Sequence, residues 1–128
     1  MHQRKRRLFD HVVLHVKDLA ESKRFYRAVV ETLGHTISGE SQDHFLIDEL
    51  EFREDVETSR SIHLAFQAEN PGSVKLFHET ALRFGGKCIG GPESNDLGSY
   101  TAHVLDPDGN RIEAIFKGKN QKDVSISY

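Results

Sequence analysis

The chain has 128 residues, 17 Lys and Arg against 20 Asp and Glu for a net charge of −3, 37% hydrophobic residues, eight His, one Cys and no Trp. This length suits one domain that buries roughly two-thirds of its unfolded surface, and the balance of charge argues against a protein built to neutralise nucleic-acid phosphates. No stretch approaches the roughly 18 apolar residues of a membrane span and no apolar leader opens the chain; a lone cysteine forms no internal bridge, so a reducing, cytoplasmic compartment is expected.

Residues 1–7 hold a basic run, His2-Gln3-Arg4-Lys5-Arg6-Arg7, read as a solvated arm. From Leu8 the pattern alternates, Phe9, His11, Val13 and His15 against Val12, Leu14 and Val16. Both sets are mostly apolar, which predicts a strand covered on both faces. Asp18 with Glu21 three residues on forms a capping box. The helix it opens carries the stripe Phe25, Tyr26, Val29, Val30 and Leu33 and stops at Gly34. Short strands are expected at His35 to Glu40, Asp43 to Asp48 and Leu50 to Arg53, followed by a polar linker from Asp55 to Arg60.

The same order then restarts. Ile62, Leu64 and Phe66 alternate with His63, Ala65 and Gln67 as a strand. Asn70-Pro71-Gly72-Ser73 opens a helix with the stripe Val74, Phe77, Ala81 and Phe84, and Gly85-Gly86 ends it. Lys87 to Ile89, Ser99 to Leu105 and Arg111 to Phe116 read as strands, with Asp106 to Asn110 as the tight turn between the last two. One constant shift superposes His11 on His63, Lys23 on Lys75, Phe25 on Phe77, Gly34 on Gly86, Ile37 on Ile89 and Gly39 on Gly91. Two βαβββ modules, residues 8–54 and 61–117, therefore make one domain over 8–117, with a tail at 118–128. Neither module can bury its sheet alone.

Equivalent places in the modules carry equivalent chemistry. His11 and His63 open the first strand of each, and Glu51 and Glu113 lie in the last. Glu113 stands in an apolar strand among Ile112, Ala114, Ile115 and Phe116, where a carboxylate needs a cation or donors. Two imidazoles with one or two carboxylates suit Zn, Ni, Fe or Mn and leave positions open for a substrate. His15 and His103 sit where they could line the same cleft, and Tyr100 could offer it a hydroxyl. Cys88, inside an expected strand, reads as packing, and Gly90-Gly91 as turn glycines.

Asp10-His11-Val12-Val13-Leu14-His15-Val16-Lys17-Asp18-Leu19 with Ser22, Phe25 and Tyr26, then Ile62-His63-Leu64-Ala65-Phe66, then Leu105 through Ala114 give the chain its family character. In these it resembles the vicinal oxygen chelate superfamily of glyoxalase I, extradiol dioxygenases, fosfomycin-resistance transferases and bleomycin-resistance proteins. The resemblance implies an α+β fold of paired βαβββ modules forming a curved, incompletely closed barrel around a metal cleft. It implies metal-ligand positions at His11, His63 and Glu113, with Glu51 as the fourth ligand of glyoxalase-like members. It further implies proton transfer by Glu113 or Glu51, and a homodimer whose sites can join His11 and Glu51 of one chain to His63 and Glu113 of another.

Departures narrow the reaction. His15 stands where glutathione-binding members can carry Arg, and Pro92 to Ser99 matches the potassium loop of fosfomycin transferases only loosely. The expectation is a divalent-metal-dependent glyoxalase-like enzyme, of the lyase or isomerase class, acting on a small oxygen-rich molecule. A fosfomycin-type thiol transferase and a metal-free bleomycin-type drug-binding protein are the alternatives, the latter having no use for repeated His and Glu.

Overall fold

Strict alternation ending at a capping aspartate sets the first strand and helix. β1 (Val12–Val16) stops short of Asp18, whose side chain accepts from the Glu21 N–H at 3.0 Å, and α1 (Leu19–Glu31) begins there. The computed structural model describes residues 8–118, so the 1–7 arm and residues 119–128 of the expected tail lie outside the described residues. After α1 the chain turns at Gly34, whose φ of +89° favours glycine, and forms β2 (Gly39–Glu40), β3 (His44–Ile47) and β4 (Leu50–Glu54). The second module repeats the order. β5 (His63–Gln67) leads to α2 (Pro71–Arg83), capped by Asn70 accepting from Ser73 N–H at 2.8 Å, then β6 (Lys87–Ser94), β7 (Ser99–Leu105) and β8 (Arg111–Lys117).

Each module is a four-stranded mixed sheet in the same order, β1-β4-β3-β2 and β5-β8-β7-β6, with its first strand on an edge. The first and last strands pair in parallel, and the others are antiparallel. Neither sheet closes on itself. The α+β fold of paired βαβββ modules, curved and incompletely closed, is the architecture expected.

One hydrophobic cluster serves both modules. Leu14, Phe25, Tyr26, Val29, Phe45 and Phe52 come from the first, and Val74, Phe77, Ala81, Val104, Ile112 and Ala114 from the second. Phe45 and Phe52 stack at 4.5 Å between centroids, and Tyr26 lies 4.5 Å from Phe52. Polar ties fix one module to the other. Tyr26 Oη donates to buried Asp106 at 2.6 Å, and Asp108 accepts from Lys17 N–H at 3.1 Å and from Ser22 Oγ at 3.4 Å. The 106–110 turn is thereby a clasp between halves.

Three details differ from the sequence reading. β1 is covered on one face only, since Leu14 and Val16 are buried while on the opposite face Val13 is 37% exposed and the His15 side chain 41%. β2 is reduced to Gly39 and Glu40, with two pairs to β3. β6 runs on to Ser94, because bulges on either side of Gly90 take Gly90 and Gly91 into the strand rather than a turn, and Pro92 with them. Among the described residues, no helix is long and apolar enough to cross a membrane.

Candidate metal centre

Sheet register decides which side chains can meet. In the second module Ala65 of β5 and His103 of β7 both lie opposite Glu113 of β8. His63, two residues before Ala65, shares its face. His63 Nε2 stands 3.0 Å from Glu113 Oε1, and His103 Nε2 stands 3.7 Å from Oε2, so each carboxylate oxygen has an imidazole. The Glu113 side chain is 12% exposed and that of His63 49%, which makes a shielded carboxylate beneath an accessible ring. Donor atoms of His63, His103 and Glu113 all lie within 4.8 Å of one another, and among the described residues this is the group of three or more His, Cys, Asp or Glu so arranged. Such a set fits a divalent ion, since imidazole nitrogen and carboxylate oxygen bind first-row metals at about 2.0–2.2 Å.

The first module holds the corresponding pair. Val13 lies opposite Glu51, as Ala65 lies opposite Glu113, and His11 is two residues before Val13 as His63 is before Ala65. His11 Nε2 is 3.9 Å from Glu51 Oε1. Its other nitrogen is 3.0 Å from Asp10, and that hydrogen bond, with the Glu51 charge adding to it, raises the His11 pKa above its ordinary 6.5. Arg53 Nε donates to the other oxygen of Glu51, and this bond raises the guanidinium's own pKa. Opposite Glu51 on β3 stands Leu46, where β7 has His103. The two half-sites match in register but not in donors.

The remaining sequence candidates divide by face. His15 shares the β1 face of His11, lies opposite Arg53, and brings Nδ1 within 3.2 Å of Asp55. Tyr100 has the parity of Ala102 and Val104 on β7; it packs against the core with Lys75 of α2 6.0 Å over its ring, so the structure does not bring it to the His63 group. Cys88, expected as packing, is exposed and 3.2 Å from His78 Nε2. Arg53, which the sequence offers only as one charge of a solvated strand around Glu51, is the site neighbour bonded to that carboxylate. Its signal was the two-residue spacing from Glu51, which puts both on one face of β4. A cleft of about 230 Å³ opens elsewhere, between the end of α1, the β3–β4 turn and Ala65, Phe66 and Gln67 of β5.

The fold and this arrangement define a class. A family model for the glyoxalase/bleomycin resistance protein/dioxygenase superfamily matches residues 8–114, and the chain belongs to that superfamily. Among solved structures it is similar to a glyoxalase/bleomycin resistance protein from Albidiferax ferrireducens T118, at 29% identity and TM-score 0.73 over 88% of this chain and 100% of that one. A glyoxalase/bleomycin resistance protein/dioxygenase family enzyme from Burkholderia phytofirmans PsJN is 21% identical with TM-score 0.69, covering 84% of this chain and 96% of that one. A glyoxalase-related enzyme from Fulvimarina pelagi shares the fold at 21% identity and TM-score 0.65, over 83% of this chain and 85% of that one. No curated protein matches the chain.

Proposed function

We propose that the chain is a divalent-metal-dependent, glyoxalase-like enzyme of the lyase or isomerase class, acting on a small oxygen-rich substrate. The observation that carries this reading is the repeated pair, His11 with Glu51 and His63 with Glu113, at one register in two separate sheets. A module that only sequesters an apolar drug has no use for it. The proposed metal ligands are His63 and Glu113 of one chain with His11 and Glu51 of a second copy, since the His63 group contains neither of the latter. A homodimer follows from this reading. The half-exposed Val13 and the exposed Ala65 on the two site-bearing faces favour a partner there. The unpaired Cys88 suits a reducing compartment, so the cytoplasm belongs to the same proposal.

A bound divalent ion would supply Lewis-acid polarisation of the substrate oxygens. The chain's own residues do the rest. Glu113, shielded and in reach of two imidazoles, is the proton carrier at its Oε atoms, and Glu51 is its counterpart in the other half-site. The Arg53 guanidinium donates to Glu51 and holds it in place. His15, beside Arg53, and His103 face the substrate space.

Calorimetric titration of chelator-treated protein with Zn, Ni, Fe and Mn salts tests this. Wild type should bind at least one of these ions stoichiometrically, and His63→Ala should not. Wild type that binds none of them would leave metal-free ligand binding as the better reading. Glu51→Gln should weaken binding in the dimer.

A further inference from the structure

His103 stands apart from the ligand set that the family resemblance supplies. It projects from β7, a strand that contributes none of those ligands, yet β7 lies directly beside β8 and places His103 opposite Glu113. Its Nδ1 is shut off from solvent and has no hydrogen-bond partner among the described residues, so Nε2 is the ring atom open to chemistry, and Nε2 is the atom turned to Glu113. The ring is supported from β6. Bulges flank Gly90, which pairs with His103, and a Cβ on Gly90 would already lie 3.4 Å from the ring Cδ2.

The spacing suits an ion better than a direct bond. At 3.7 Å, His103 Nε2 and Glu113 Oε2 are beyond hydrogen-bond length. Two donors held on one ion at about 2.0–2.2 Å stand roughly 3.0–3.5 Å apart at tetrahedral or octahedral angles. The 3.0 Å and 3.7 Å separations on the two Glu113 oxygens bracket that range, so small side-chain shifts bring all three donors onto one ion. The first module offers no parallel, because Leu46 occupies the place of His103.

We infer that His103 is a metal ligand, and that His63, His103 and Glu113 of one chain hold a divalent first-row ion by two imidazoles and one carboxylate, without needing a donor from a second copy. This rests on the metal-dependent reading above and alters its ligand set. The family pattern gives the second imidazole to His11; within one chain the imidazole that joins His63 and Glu113 is His103. A two-histidine, one-carboxylate set leaves coordination positions free for substrate oxygens and for the His11–Glu51 pair.

The test is titration of chelator-treated full-length protein with Co(II), followed by its visible absorption, for wild type, His63→Ala and His103→Ala, with folding checked by circular dichroism. Loss of His63 should abolish binding. Loss of His103 should weaken it at least about tenfold, the lower end of what even an outer partner of a metal ligand is worth, and should change the Co(II) spectrum. Imidazole nitrogen shifts of zinc-loaded wild type give a readout without substitution, and Nε2 of His103 should move on loading. If His103→Ala keeps wild-type affinity and spectrum, or Nε2 does not move, while His63→Ala abolishes binding, the inference fails and the metal-dependent reading stands. If wild type binds none of Co(II), Zn, Ni, Fe and Mn, both fail.

Discussion

Glu51 and Glu113 show how neighbours separate two carboxylates of equal rank. Glu51 has an arginine on one oxygen and a loosely placed His11 near the other, whereas Glu113 has only imidazoles. A guanidinium keeps its charge at any accessible pH, while an imidazole gives its lone pair to a metal when neutral. On the proposed reading the second half-site is therefore the better metal anchor. The first module also holds the most perturbed exposed acid. Hydrogen bonds from His44 and then Ser41, with Arg53 nearby, lower the Asp43 pKa to about 2. A depressed carboxylate stabilises the fold above its ordinary pKa of 3.8, and that contribution is lost as the pH falls through about 2. Carboxyl NMR titration should place the Asp43 midpoint near 2, and His44→Ala should move it back towards 3.8. An unmoved midpoint in the variant would remove His44 as the main cause.

Helix caps and strand faces were legible in the sequence because they are local. Asp18 with Glu21, Asn70 with Ser73, and the two apolar stripes lie where their spacing put them. Asn70→Ala should cost about 0.5–2 kcal/mol in denaturant unfolding, since it orphans the first-turn N–H of Ser73. A change below the error of the extrapolation would show that Pro71 alone sets that terminus. Strand limits were less legible where pairing rather than propensity decides them. Gly90 and Gly91 read as turn glycines in one dimension, and only the ladder to β7 with its bulges makes them strand. The site followed the same division. His63 and Glu113 could be joined through the repeat, but seating His103 on Glu113 depends on β7–β8 register, and Tyr100 falls on the helix face by a parity fixed by the turn at 106–110. The contact of His78 with Cys88 likewise crosses from α2 to β6 and has no sequence spacing to announce it.

At the scale of the whole molecule, the repeat gives two sheets and the 106–110 turn makes them one body. Tyr26 reaches from α1 to Asp106 in that turn, and Asp106 also accepts from the Asp108 and Asn110 N–H groups. Burial raises the Asp106 pKa, and the Tyr26 hydrogen bond works against that rise. An acid whose folded pKa is raised contributes stability below its ordinary range and loses it as the pH climbs through the folded value. Tyr26→Phe should lower stability by about 1–3 kcal/mol near neutral pH and raise the Asp106 pKa further, because a buried carboxylate loses a donor. A variant as stable as wild type would mean that apolar packing alone holds the modules together. The same joining of halves gives each chain two matched but unequal half-sites, and the metal assigned to the His63 half is the claim on which the functional account turns. Elemental analysis of wild type and His63→Ala, purified without chelator or immobilised metal, tests it most directly. The account predicts close to one Zn, Ni, Fe or Mn per wild-type chain and almost none in the variant; metal retained at wild-type level in His63→Ala, or a wild type that carries none and takes up none on addition, would contradict it.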